Sequence, residues 1–151
     1  MTIPDKLPII RMEDYHTHYL GKTSDGRLFW AYETFAFTKP YSEIVGEDWQ
    51  KFRNEYAILH TFDNDGNYLL TKHILAGTAA DTKGLSLDNY LEKMVKELGE
   101  ITYQDIEIKL FQMVIDDITF GLIADQETEM INLQPSSLIS FQEPWDGEYY
   151  T

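Results

Sequence analysis

The side chains best able to do chemistry here are four histidines and a surplus of carboxylates; cysteine is absent. His16-Thr17-His18 is the best metal pattern, because an i, i+2 spacing on an extended strand points both imidazoles to one face. A catalytic metal centre also needs a third ligand and an open coordination position. Glu13, Asp14 and His60 are the candidates for that ligand. The competing reading is aromatic-rich packing, in which imidazole serves as an amphipathic filler. Packing explains the pair without a third ligand.

Other motifs fall short of their chemistry. Gly21-Lys22-Thr23 imitates the end of a P-loop, but position 16, where the first Gly belongs, is His, and a hairpin turn follows in place of a helix. Gly84-Leu85-Ser86-Leu87-Asp88 imitates a nucleophile elbow without its second Gly, and Ser86 reads better as a helix N-cap. Asp63-Asn64-Asp65-Gly66 has the flavour of a calcium loop. Its Gly is fourth where an EF-hand requires it sixth, and no helices flank it. The carboxylate groups Glu47-Asp48, Asp116-Asp117 and Glu143/Asp146/Glu148 fall in predicted turns or in the tail, where carboxylates are ordinarily solvated. No motif calls for a cofactor, so none is expected.

These residues must be positioned by elements the sequence marks locally. Tyr56 to Leu75 reads as two strands about the Asp63–Gly66 turn, with Gly66 supplying the positive φ. Simple alternation pairs Asp63 with Asn67, His60 with Leu70 and Ile58 with Lys72. It places Tyr56, Ile58, His60, Phe62, Tyr68, Leu70 and Ile74 on one face, and His73 on the other. Both faces are largely apolar, which predicts a central hairpin covered on both sides. An earlier hairpin turns at Ser24-Asp25-Gly26 and pairs Thr23 with Arg27 and Leu20 with Trp30. His16, His18, Leu20, Trp30 and Tyr32 then share one face, and Tyr15, Tyr19, Phe29, Ala31 and Phe35 the other.

Residues 1 to 14 read as an extended lead-in held open by Pro4 and Pro8. Residues 38 to 54 read as an irregular surface excursion with a helical turn over Glu47–Arg53. A small-residue loop follows the second hairpin, from Ala76 to Gly84. Leu87, Tyr90, Leu91, Met94, Val95 and Leu98 form one apolar stripe, which predicts a helix over Leu87–Leu98 capped by Gly99. Strands are expected at Ile106–Ile115 and Ile118–Ala124 around Asp116-Asp117, with short ones at Met130–Leu133 and Leu138–Phe141. The resulting class is α+β: an antiparallel sheet of hairpins in the order ββ-ββ-α-ββ plus short strands, with one amphipathic helix packed on a face. One globular domain spans 1–151.

Composition sets the remaining bounds. Hydrophobic residues make up 43% and aromatic residues 14%, enough for a packed core. The absence of cysteine excludes disulfides and thiolate chemistry, and fits a reducing compartment. The N-terminal run MTIPDKLPIIRMEDYH lacks the pattern of a signal peptide, and no apolar run reaches the ~20 residues of a membrane span. The cytoplasm is the expected location. The net charge is −14, from 26 acidic against 12 basic residues. That sign repels nucleic acid and anionic membranes and steers a basic protein inward. Trp49 and Phe52 in the excursion, and Trp145 and Tyr149 in the tail, are the candidate partner-binding residues. The tail can equally pack down as a clasp, which is the reading favoured here.

Three stretches carry a resemblance: Leu59-His60-Thr61-Phe62-Asp63, Thr71-Lys72-His73-Ile74-Leu75-Ala76-Gly77-Thr78 and Phe141-Gln142-Glu143-Pro144-Trp145-Asp146-Gly147-Glu148-Tyr149. The chain resembles, from Asp14-Tyr15-His16 to the C-terminus, a family of small bacterial proteins labelled "formate hydrogenlyase regulatory protein". The resemblance implies a bacterial cytoplasmic protein and brings no catalytic motif. Three functions follow as expectations. The first is a non-enzymatic acidic binding module that neutralises a basic partner, as immunity proteins do. The second is a regulator of a metabolic or transcriptional complex, as the family label implies. The third is a small-molecule or metal-binding protein, in one version an enzyme, built on His16 and His18.

Overall fold

Strand after strand follows from apolar alternation, and tight turns join most of them. The structure, a computed structural model, describes residues 3–13, 16–39, 43, 46–78, 87–136 and 139–151; the side chains of Glu47 and Asp48 lie outside that description. The strands are β1 (Lys6–Ile9), β2 (Tyr19–Thr23), β3 (Leu28–Phe37), β4 (Arg53–Phe62), β5 (Tyr68–Thr78), β6 (Ile101–Tyr103), β7 (Ile106–Lys109), β8 (Gln112–Ile115), β9 (Ile118–Asp125), β10 (Met130–Gln134) and β11 (Ser140–Phe141). The helix α1 (Leu87–Lys96) lies between β5 and β6. With 12% helix and 52% strand, the chain is α+β in kind and weighted to β.

Five strands form one antiparallel sheet in the order β5-β4-β3-β2-β6, and four form a second in the order β11-β10-β9-β8. β1 pairs with β7 as a separate ribbon. Leu20, Trp30, Tyr32, Tyr56, Ile58 and Phe62 of the large sheet pack on one side against Phe111, Phe120, Leu122, Ile131, Leu133 and Phe141. On the other side, Tyr19, Phe29, Ala31, Ala57 and Leu59 meet Leu91, Met94 and Val95 of α1. The layers are therefore helix, large sheet, small sheet. Both alternation patterns of β3 are satisfied because β3 is covered on both faces.

The first hairpin has the expected register, with Leu20 opposite Trp30. Its turn closes with the Thr23 N–H donating to the Arg27 carbonyl at 2.8 Å. The second turn also forms as read: the Asp63 N–H donates to the Asn67 carbonyl at 2.8 Å, and Gly66 has φ 87°. Beyond that turn the simple register fails. A bulge between Thr61 and Phe62 shifts β5 by one residue, so His60 faces Thr71, Ile58 faces His73 and Ala57 faces Ile74. The bulge exchanges the faces of Leu70 and Ile74 and brings His73 to the same side as His60; a second bulge, at Ala76 between the Tyr56 and Glu55 pairs, reverses the alternation again. A bulge of this kind inserts one unpaired residue and reverses the alternation after it. The hairpin is also not covered throughout. β4 is central, but β5 is an edge strand that pairs only with β4 among the described residues.

Two further expectations are corrected, and one strand is added. β2 begins at Tyr19, so His16, Thr17 and His18 lie in the turn before it and not on a strand face. Ile106–Ile115 is two strands: the chain leaves β1's ribbon after Lys109 and joins β9 from Gln112 onward. Between Gly99 and Ile106, which the sequence left unassigned, lies the short strand β6, which pairs with β2. The helical turn at 47–53 is a 3-10 turn, Gly46–Phe52. The Ser86 cap, the loop from Ala79 to Gly84, and Leu138 lie outside the described residues. The helix stripe holds in full, with Leu87, Tyr90 and Leu98 flanking the buried three.

The tail packs down. The Ile10 N–H donates to the Gly147 carbonyl at 3.0 Å, and Ser140 pairs with Tyr150. Trp145 and Tyr149 are half-buried against the main core. Gly147, at φ 95°, presses on Ile10 so closely that a Cβ would lie 2.8 Å from its side chain. No helix among the described residues is long and apolar enough to cross a membrane.

Candidate functional site: two polar faces of one sheet

β3 and β4 carry polar side chains on both faces, and the two faces treat them differently. On the small-sheet side, His60 is fully buried. Its Nε2 lies 2.8 Å from the Tyr32 hydroxyl and its Nδ1 lies 2.6 Å from Thr71 Oγ1. Thr71 continues to the Tyr68 hydroxyl at 2.8 Å. A neutral imidazole has one donor and one acceptor, and hydroxyl neighbours can complement either tautomer. Phe111 meets the imidazole edge-on at 4.7 Å and stacks on Tyr68 at 5.3 Å. Burial pushes His60 down to about 3 and pushes Tyr32 up. This is a closed network that holds the sheet. Its imidazole is walled off from any substrate.

On the helix side, alternation continues from Phe29 and Ala31 to Glu33 and Phe35, and from Leu59 and Ala57 to Glu55 and Arg53. Phe35 pairs with Glu55 and Glu33 pairs with Ala57. The two glutamates are therefore diagonal neighbours on adjacent strands, a relation of roughly 7–8 Å. Asp88 brings a third carboxylate from the first turn of α1. Glu33 is half-buried, and its carboxyl is held above the usual range by burial first and then by Asp88 and Glu55. No cation pairs with Glu33 among the described residues. Burial likewise raises Glu55, while Arg53 opposes that shift.

Aromatic rings border these carboxylates. The Arg53 guanidinium sits 3.7 Å from the Phe35 ring centre and 5.7 Å from that of Trp49. Arg53 Nε and Glu55 Oε1 are 2.9 Å apart, yet the N–H is not aimed along that line, so Nε has no directed hydrogen bond. Lys39 Nζ lies 4.4 Å over the Phe52 ring. Trp49 thus stands beside this face, while Phe52 is placed by its Lys39 contact. Trp145 and Tyr149 pack against the main core in the clasp.

His16 and His18 have different neighbours. Trp30 Nε1 donates to the His16 carbonyl at 2.8 Å, and the His16 ring meets Tyr149 at 5.3 Å. The His18 ring packs on Tyr19 and Tyr103, and Arg11 Nη2 lies 3.3 Å from its Nδ1. A guanidinium can only donate, so Nδ1 accepts there, which competes with a metal. Glu13 Oε2 is 3.8 Å from the same nitrogen. His60, named as a third ligand, is locked in the core, and Asp14 lies outside the described residues. No group of three or more His, Cys, Asp or Glu that could hold a metal occurs among the described residues.

Two depressions in the surface are described. One of about 340 Å³ is lined by Leu110, Phe111, Gln112, Leu122, Ile123 and Ala124, none of which titrates. Another of about 310 Å³ is lined by Ser24, Glu100, Ile101 and Thr102. No protein-family model, curated protein or solved structure matches the chain.

Sequence reasoning looked for carboxylates that are adjacent in the chain and missed Glu33 and Glu55, which are 22 residues apart. A signal was present. Each glutamate is the one acidic residue in a largely apolar run, Phe29–Phe37 or Asn54–Phe62.

Proposed function

We propose that this chain is a non-enzymatic protein-binding module that uses the carboxylates of Glu33, Glu55 and Asp88 to engage a basic partner. The observation that carries the reading is Glu33: a half-buried carboxylate, crowded by two like charges and lacking a cation among the described residues. Like charges held together in a partly dry site cost stability. A lysine or arginine from a partner, placed between Glu33 and Glu55, would relieve that cost on binding, and a charge-assisted hydrogen bond would form. Phe35 and Trp49 supply flat apolar area beside it, the residue types that anchor interfaces. The net charge of −14 steers such a partner from a distance.

A cytoplasmic immunity-type role and a regulatory role both fit this chemistry; the partner's identity separates them. The test is an affinity capture from the host lysate at low and moderate salt, run in parallel with wild type and a Glu33→Lys/Glu55→Lys variant. The expected result is one basic protein retained near stoichiometry by wild type at both salts and lost by the variant. Equal recovery by the two proteins, or recovery of no basic protein, rejects the proposal. A toxic enzyme as the captured protein selects neutralisation, and a host enzyme or activator selects regulation.

A further inference from the structure

β5 is the longest strand among the described residues, at 11 residues, and it lies at a sheet edge. Edge strands present a row of backbone N–H and C=O groups that template another strand, and proteins ordinarily blunt them. β5 carries bulges at Leu69 and Ala76 and is only partly covered, Ile74 by the helix-side cluster and Tyr68 by the main core. Leu70, on the helix side, is 45% exposed; Leu75, on the small-sheet side, is 47% exposed; Leu69 in the bulge is 46% exposed.

Charge selects the occupant. The chain has 26 acidic residues, yet none falls between Gly66 and Ala80, and β5 itself carries only Lys72 and His73. Two molecules of charge −14 repel least when their acid-free edges face each other. We infer that β5 pairs antiparallel with β5 of a second copy of this chain, joining two five-stranded sheets into one.

The register follows from symmetry. A two-fold axis relating antiparallel strands must run perpendicular to the sheet, which sets one residue opposite its own copy. Centring on Lys72 opposes two ammonium groups on one face, which destabilises the pair. Centring on Thr71 leaves Leu75 opposite Asn67, beyond the strand. Centring on His73 keeps the pairs Thr71–Leu75 and Lys72–Ile74 inside the regular stretch between the two bulges and buries Leu75 against Thr71. The perpendicular axis also keeps both copies' Glu33–Glu55 faces on the same side of the joined sheet.

The native chain lacks cysteine, so a single introduced thiol reads the register. Residues directly opposite in an antiparallel pair have Cα atoms about 4.5–5.5 Å apart, inside the range a disulfide spans. Under mild oxidation, His73→Cys is expected to form a covalent dimer rapidly. Val114→Cys, 64% exposed on the edge strand of the other sheet, is expected to do so only at the collisional rate. Sedimentation equilibrium of wild type from low to high micromolar concentration is expected to show a dimer, and Leu75→Asp to weaken it more than tenfold. A wild-type monomer throughout that range overturns the inference. So does cross-linking of the His73→Cys variant no faster than that of the Val114→Cys variant, or a dimer indifferent to Leu75→Asp.

Discussion

The two faces of β3 and β4 use the same backbone for opposite ends. Toward the small sheet, His60, Tyr32, Thr71 and Tyr68 satisfy one another by short hydrogen bonds. Toward the helix, Glu33 and Glu55 crowd with Asp88 and are only partly compensated by Arg53. A buried polar network is stabilising when complete and costly when one member is missing. An unfinished polar cluster at the surface costs less, because water still reaches it. On the proposed reading, the difference separates what holds this protein together from what it offers to another molecule.

The largest break in that comparison comes from His60→Ala. It leaves the Tyr32 and Thr71 hydroxyls without their imidazole and opens a void beside Phe111. The expected loss is about 3–5 kcal/mol of folding stability, measured by urea unfolding. Partner capture at a temperature where the variant stays folded is expected to be unchanged. A loss of capture by folded His60→Ala would merge the two faces into one functional unit.

Acid probes both faces with opposite signs. His60 titrates near 3 when folded and near its ordinary 6.5 when unfolded. The unfolded chain therefore binds the proton first, and the stabilisation present above about 6.5 is lost as pH falls toward 3. The integrated effect is on the order of 5 kcal/mol. Glu33 and Glu55 are raised in the folded state, so the folded chain binds their protons first, and each stabilises as pH falls through its folded value. Urea midpoints across this range are expected to fall for wild type and to fall distinctly less for His60→Gln. Parallel curves for the two proteins would remove His60 as the source.

The double variant Glu33→Lys/Glu55→Lys sharpens the other side. Binding of the captured partner, followed by calorimetry, is expected to weaken by at least tenfold, on the order of 1.4 kcal/mol or more. Its unfolding midpoint is expected to stay close to that of wild type, since both side chains are only half-buried. The smallest effect belongs to Glu33→Gln alone. Removing one crowded charge is expected to raise stability at pH 7 by less than about 1 kcal/mol, given solvent screening. A lower midpoint for Glu33→Gln would mean that the carboxylate has a cationic partner after all.

Local rules carried much of the fold. The turns at Asp25-Gly26 and Asp65-Gly66, the Asp116-Asp117 connection with both residues at positive φ, and the α1 stripe were all readable from a few neighbouring residues. So were the two faces of β3, because a strand covered on both sides keeps its alternation. The face of β5 from Leu70 to Leu75 was misread, since a bulge at Leu69 reverses the alternation there, a second at Ala76 reverses it back, and nothing local marks either position. The metal reading of His16 and His18 assumed a strand that in fact begins only at Tyr19. The carboxylate face was hidden because pairing β3 with β4 brings together glutamates that are distant in the chain.

The sequence by itself determined the three hairpin turns, most of the strand-forming stretches, where the helix lies and that the molecule is strongly acidic. These follow from φ preferences, apolar period and charge, which act over a few residues or over the whole chain at once. Only the tertiary structure decided that β4 is central and β5 an edge, that Ile106–Ile115 divides between two partners, and that Glu33 and Glu55 meet. Those outcomes depend on which distant strand completes each row of backbone hydrogen bonds and on what covers each face, and no local run of residues contains that information.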